Sequence, residues 1–355
     1  MSEQELLTKL KGFSRTFVVH SNTNPYAAVA AMGQMAARSQ EAGPYFRPSE
    51  TFVPLIDALE AEQVNTGNQP DQLAAEFKSD WVEYLRRTGL PTCGLSYDDA
   101  RTPQENTMRF LNAHNRRIPT LKARIVNESR ELLVPIEYRQ DYEQILALIR
   151  NGGDLKPYLS RDIIKKGRPD KNDGLLNAWG IQHLHFRPEG TDKLLFCLIT
   201  DTDVFVIQAL LHDAEHLWVD TQLIQVIHDN WPEEIAHYRQ NLLSPEDIPA
   251  DKRSSLRGSN ANFLITLADG AVYLPPGGGT MGSGDSPENR TNCDKIFSEL
   301  LDWQSRLGQN AVAVRAALSL STTRKLIVRM AFDNRICCFY EPTIGARLGG
   351  FALAD

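Results

Sequence analysis

The sequence predicts an α+β protein: an N-terminal helical region followed by two α+β domains with small antiparallel sheets. Apolar residues recur at three- and four-residue spacing early in the chain. Short apolar runs bounded by acidic turns, as in KLLFCLITDTDVFVIQALL, read as hairpin strands. The C-terminal part reads as hairpin, helix and hairpin, a second α+β unit. At 355 residues the chain is long for one core. The expected boundaries are 1–95 for the helical region, 104–244 for a central domain and 258–355 for a C-terminal domain.

Within residues 1–95, NPYAAVAAMGQMAARSQEAG is Ala-rich and opens with Asn24-Pro25, a cap followed by proline at the first helical position. SETFVPLIDALEAEQ follows, then PDQLAAEFKSDWVEYLRRTG. The latter sets Leu73, Phe77, Trp81 and Tyr84/Leu85 at helical spacing and stops at Gly89 before Pro91. Residues 90–103, LPTCGLSYDDARTP, are rich in turn formers and read as a linker. A helix near 104–114, two short strands (LKARIV and ELLVPI) and the helix YRQDYEQILALIRNGG come next, the last with a glycine stop at 152–153. The basic DLKPYLSRDIIKKGRPDKNDGLLNAWG predicts a short helix around 158–166, then a polar loop.

The clearest local pattern follows. IQHLHF, KLLFCLI and VFVIQALL predict a three-stranded antiparallel meander, with TDTD as one of its turns. The helix VDTQLIQVIHDNW closes it, capped by Asp220 or Thr221 and ended by Trp231-Pro232. Trp179, Trp218 and Trp231 bracket the unit as packing residues. The polar PEDIPADKRSSLR, 245–257, marks the second boundary. Beyond it lie the strands NFLITLA and AVYLP about the turn Asp269-Gly270, then a glycine-rich loop (275–292). The helices CDKIFSELLDWQSRLG and NAVAVRAALS come next, and the last hairpin is KLIVRMAF and RICCFYE.

A hydrophobic content of 42% with 23% charged residues excludes wholesale disorder. No apolar run reaches the roughly 18–20 residues of a bilayer span, and the charged N-terminus lacks a signal-peptide core, so a cytoplasmic protein without a membrane partner is expected. Five cysteines without framework spacing read as reduced, mostly buried thiols. The net charge of -7 argues against a nonspecific coat for nucleic acid. Between Arg109 and Lys171, however, fourteen Lys/Arg stand against eight Asp/Glu. Such a basic middle suits a phosphate-facing surface, or docking on an acidic neighbour or a second copy of the chain.

Four of the eight histidines fall within residues 183–216, as the pairs His183/His185 and His212/His216. Residues two apart on a strand share a face, and residues four apart on a helix do too. Histidine titrates near neutral pH and both takes and gives protons, so His183, His185 and His212 are candidates for acid–base catalysis. Arg161, Lys165, Lys166 and Arg187 are the candidate phosphate-binding cations, with Arg168 and Tyr158 as companions. If a metal were bound instead, His183, His185, His212 and His216 would be its ligands, with Asp213 and Glu215 in reserve. Structural histidines are the third reading, and no cofactor is called for. The loop PPGGGTMGSGDSPENRTN, which carries Ser283, Asp285 and Ser286, reads as a surface loop, with an anion cradle or a lid as alternatives. It has neither the P-loop Lys-Ser/Thr nor a GxSxG elbow.

The order of helix, basic segment, antiparallel meander and closing helix across residues 140–231 resembles the small sheet of the RelE/ParE-like toxins. More broadly it is similar to the barnase, EndoU, colicin and RelE group of ribonuclease folds. The residues that carry this are DKLLFCLITDTDVFVIQALLHD, two apolar strands about an acidic turn with His212 at the end. The resemblance implies an RNA-directed nuclease or toxin-like effector, in phage defence or growth control. The alternatives are a noncatalytic binding or assembly protein, which would self-associate or dock through its charged surfaces, and a metal-dependent hydrolase.

Overall fold

The computed structural model describes residues 73–117, 121–160, 173–241, 248–317, 320–321, 325–333, 336–342 and 346–352. The two helices expected before residue 70 lie outside the described residues. The protein is α+β, with helices and several small antiparallel and mixed sheets. Contacts divide the described residues into two units: those within 89–293, and those of 73–88 together with those from 294 onward. This grouping differs from three consecutive domains.

In the larger unit, residues 90–103 bury Leu90, Cys93 and Leu95, so this stretch is packed chain and not a solvated linker. Helix α1 (Pro103–Leu111) begins at a reciprocal cap. The Thr102 hydroxyl accepts from the Glu105 N–H at 3.2 Å, and the Glu105 carboxylate accepts from the Thr102 N–H at 2.7 Å. Strand β1 (Ile125–Glu128) follows. ELLVPI forms no strand; Pro135 lacks a donor for a ladder, and the chain turns through a 3-10 segment at Ile136–Tyr138. Helix α2 (Arg139–Asn151) buries Tyr142, Ile145, Leu146 and Ile149 on one face. It ends at Gly152 (φ 68°), where a Cβ would lie 2.7 Å from the Ala123 nitrogen.

Helix α3 (Gly174–Trp179) is capped by the Asp173 carboxylate, which accepts from the N–H groups of Leu175 and Leu176. The expected meander is present as β2 (Ile181–His185), β3 (Lys193–Ile199) and β4 (Asp203–Leu211). Strand β1 adds to it in parallel, giving the order β1-β4-β3-β2. Helix α4 (Gln222–Asn230) closes the unit; Asp220, and not the Thr221 side chain, caps it by accepting from the Gln222 N–H at 3.0 Å.

Because strand side chains alternate, the meander buries a separate core on each face. Leu184, Leu195 and Val206 pack on α2, while Ile181, Leu194 and Phe196 share a core with Trp179 and with Leu223 and Ile227 of α4. Burial pushes the Cys197 thiol up to about 12, so it behaves as a small apolar side chain. Cys93, Cys197 and Cys293 are all free and buried.

A second sheet joins β5 (Arg239–Gln240) to β6 (Ile265–Thr266) and β7 (Val272–Tyr273) in the order β5-β7-β6. It therefore spans the boundary expected at 245–257, where residues 250–258 instead form a helix within the same unit. The His228 ring ties α4 to this sheet: Nδ1 lies 2.8 Å from the Tyr273 hydroxyl and Nε2 lies 3.1 Å from the Asp269 carboxylate.

The glycine-rich loop is fastened rather than loosely exposed. Gly277 donates to the Ala178 carbonyl at 2.8 Å, Asn262 and Thr280 bond reciprocally, and Asn177 donates to the Gly284 carbonyl. A Cβ on Gly277 would lie 2.3 Å from the Gly180 nitrogen.

In the smaller unit, the helix Phe77–Tyr84 buries Phe77 and Trp81, as its spacing predicts. Leu73 belongs instead to a short parallel pair, Leu73–Ala74 with Leu326–Ile327. The final hairpin, Arg329–Asp333 and Ile336–Glu341, gains a third strand at Ala346–Ala352. Phe339 packs against Phe77 and Trp303, with ring centroids at 5.1 and 5.6 Å. The buried Asp80 carboxylate pairs with Arg329 and accepts from the Met330 N–H at 2.9 Å. Burial pushes its pKa up to about 6.

Two outcomes are expected. Gly277→Ala should destabilise the larger unit by about 1–3 kcal/mol through overpacking. Gly282→Ala, where a Cβ meets nothing within 4 Å, should stay within about 0.5 kcal/mol. Urea unfolding followed by tryptophan fluorescence compares them, and equal midpoints would remove close approach from the account of the loop. For Asp80, the folded pKa stands above the unfolded value of 3.8. Its contribution is thus fully present below 3.8 and is lost as pH rises through about 6. Asp80→Asn keeps an acceptor for Met330 and should remove a slope on the order of 2–3 kcal/mol from the stability–pH curve across that window. An unchanged slope would place the titration elsewhere.

Candidate functional site

The register of β2 on β3 pairs Ile181 with Leu198, His183 with Phe196 and His185 with Leu194. Both histidines therefore lie on the α4 face of the sheet, where the apolar core gives way to solvent. The His183 side chain is 12% exposed, and the His212 side chain, just past the end of β4, is 48% exposed. Backbone fixes the latter position, since the His212 N–H donates to the Asp192 carbonyl at 2.7 Å.

The three expected catalytic histidines do come together, around a residue assigned to packing. The Trp218 indole lies 5.0 Å from the His183 ring and 5.9 Å from the His212 ring, edge-on to both. The His185 and His212 rings are 6.4 Å apart and nearly parallel. Trp179 is buried and Trp231 packs on the core as expected, but Trp218 is 36% exposed. Sequence gives no sign of this, because exposure at residue 218 is set by how its neighbours dock.

Hydrogen bonds assign distinct tautomers to two of these rings. The Thr191 backbone N–H donates to Nδ1 of His185 at 3.2 Å, so the proton of the neutral ring sits on Nε2. His212 is the reverse: Nδ1 lies 3.0 Å from the Asp213 carboxylate, which only accepts, leaving the Nε2 lone pair as the base of the neutral ring. His183 Nδ1 lies 3.6 Å from Asp173, the same carboxylate that caps α3.

His216 has other partners. Its Nδ1 lies 3.1 Å from the Ser254 hydroxyl and its Nε2 lies 3.2 Å from Asp251, both on α5 (Ala250–Gly258). The four histidines do not form a metal cluster: among the described residues no group of three or more His, Cys, Asp or Glu is arranged to hold an ion.

Arg187 is not beside the histidines. Its Nε pairs with Asp141 of α2 at 2.8 Å and its guanidinium lies 5.2 Å over the Tyr138 ring, on the opposite side of the sheet. Counting by twos from His185 places Arg187 on the histidine face, but β2 ends at His185 and the turn redirects the chain. Arg161, Lys165, Lys166 and Arg168 lie outside the described residues, as does most of the helix expected at 158–166. Tyr158 packs against the α2-side core.

One cation was not expected. Arg257 of α5 lies 4.8 Å over the Trp179 ring and donates to the Gly174 carbonyl. Burial pushes its pKa down to about 10, opposed by the charge of Asp173.

The glycine-rich loop spends its donors internally. The N–H groups of Gly277, Gly278, Thr280, Met281 and Gly284 all have protein acceptors, and Asp285 takes bonds from Ser283 and Asn112. No helix of the described residues is long and apolar enough to cross a membrane. No family model, curated protein or solved structure matches the chain.

The tautomer assignment has a direct check. With 15N-labelled histidine at neutral pH, long-range correlations should show His185 as the Nε2–H form and His212 as the Nδ1–H form. The same tautomer at both positions would contradict the assignment.

Proposed function

We propose that this protein is an RNA-directed, metal-independent nuclease of toxin-like character, acting in growth control or phage defence, with the histidine face of the meander as its site. The observation that carries the reading is the opposite tautomers of His185 and His212 on rings 6.4 Å apart. Cleavage of RNA by its own 2′-hydroxyl needs a base at the attacking oxygen and an acid at the departing one. His212 Nε2 takes the 2′-hydroxyl proton as that oxygen bonds phosphorus. His183, as an imidazolium with Nδ1 facing the Asp173 carboxylate at 3.6 Å, gives its Nε2 proton to the 5′-oxygen as the P–O bond breaks and keeps the proton on Nδ1. The products are a 2′,3′-cyclic phosphate and a 5′-hydroxyl, and the two histidines end in exchanged protonation states. His185, whose proton stays on Nε2, holds a third position as a hydrogen-bond donor to a phosphate oxygen. The basic run of Arg161, Lys165 and Lys166 is the proposed source of phosphate-binding charge.

A second reading, a binding or assembly protein, draws on a separate observation. Strand β1 is an edge of the four-stranded sheet, and Leu121, Ile125, Leu133 and Ile136 in and beside it are strongly exposed.

The deciding experiment is incubation of the purified chain with end-labelled RNA, with and without EDTA. Cleavage is expected to survive EDTA and to fall by about 10²–10⁴-fold in His185→Ala, in His212→Ala and in the double variant His183→Ala/His212→Ala, with circular dichroism unchanged. Full activity in the variants would overturn the assignment. No cleavage by the wild type, with concentration-dependent self-association, would move the conclusion to the binding reading.

A further inference from the structure

We propose that Trp218 is a stacking platform for an unpaired nucleobase, which makes single-stranded RNA the substrate of the histidine site. The identity of the ligand rests on the ribonuclease reading; the platform rests on geometry of its own. Leu217 and Val219 are each 2% exposed, anchored in the α4-side core, while Trp218 between them is 36% exposed. The turn Leu217–Val219 is preceded by His216 at φ 56°, a left-handed conformation unusual for a residue other than glycine.

That conformation is fastened from outside. The His216 ring bonds Ser254 and Asp251, and Arg253 Nε donates to the Val219 carbonyl at 3.1 Å. A large apolar side chain kept out of the core by a clamped backbone is presented to solvent, not left over. It is also surrounded by groups suited to the chemistry. His183, His212 and Phe196 approach the indole at 5.0, 5.9 and 6.4 Å.

The chemistry favours a base over the other ligand of aromatic clusters, an organic cation. Two imidazoles flank the indole, and the protonated one of the proposed site, His183, repels a positive ligand while attracting the phosphate attached to a base. A base in a duplex has both faces covered by its neighbours, so an exposed indole selects unpaired nucleotides. His216, Ser254 and Asp251 are then positioning residues for Trp218.

The test separates binding from cleavage by using a 2′-O-methyl oligonucleotide, which lacks the nucleophile, as the probe. Trp218→Ala should raise its Kd by about 5- to 150-fold, Trp218→Phe should retain most of the affinity, and the wild type should prefer the single strand to the duplex. With cleavable RNA, the Trp218→Ala defect should fall mainly on KM. A Kd within twofold of wild type in Trp218→Ala, or equal affinity for an oligonucleotide with an abasic site in place of the stacked base, overturns the proposal. Base-dependent loss of binding in Trp218→Ala, with no cleavage by the wild type, would retain the platform and reject the nuclease. Cleavage lost in the histidine variants, with unchanged Kd in Trp218→Ala, would do the opposite.

Discussion

The two-residue period of the strand Ile181–His185 is the constraint on which the rest of the larger unit depends. Odd positions face α4 and Leu184 faces α2, so a slip of one residue would drive both imidazoles into an apolar core and expose Leu184. Burying unpaired polar rings costs kcal/mol, which makes the register strongly specified. Thr191 holds it at the turn: its hydroxyl donates to the Lys193 carbonyl at 2.6 Å and accepts from the Phe186 N–H at 3.2 Å. The same residue's N–H sets the His185 tautomer. One threonine thus couples strand register to proton position, so the chemistry of the ring is a consequence of the fold.

Asp173 makes a comparable coupling on the other side of the site. One of its oxygens caps α3, the other faces His183, and its charge opposes that of Arg257. Replacing it would disturb a helix start, a histidine and a buried guanidinium together. Its loss would therefore be a poor measure of catalysis. His212 and Asp213 differ in kind: both are solvent-facing, and their contact contributes little to stability while still favouring one tautomer.

What the sequence made legible follows the length of each signal. The meander, α2 with its glycine stop and the capped α1 carry patterns of many residues, and all three form where expected. The expected hairpin of NFLITLA and AVYLP forms as Ile265–Thr266 with Val272–Tyr273, but Arg239–Gln240, a strand of two residues, carries no periodicity, so its pairing with Val272–Tyr273 across the polar stretch 245–257 was invisible. Ala346–Ala352 contains adjacent glycines and does not read as a strand, yet it pairs with Ile336–Glu341. The histidine cluster was legible because strand parity fixes His183 and His185. Arg187 was misplaced by the same parity, extended past the end of the strand. Trp218 was misread because a tryptophan is ordinarily a packing residue; only the docking of Leu217 and Val219 reverses that.

The candidate site draws its side chains from a short length of chain. His183, His185, His212 and Trp218 all come from the meander and the turn after it, within the larger unit. The contacts that tune the rings are equally local, from Thr191 to His185 and from Asp213 to His212. The supports that hold the indole in place come from further away, in α5, through Ser254, Asp251 and Arg253. The tautomers of these rings are therefore set within the meander and its turns, whereas presentation of the indole depends on a helix that packs onto it from outside. Changes in α5 therefore reach the indole first and leave the contacts of Thr191 and Asp213 with the imidazoles in place.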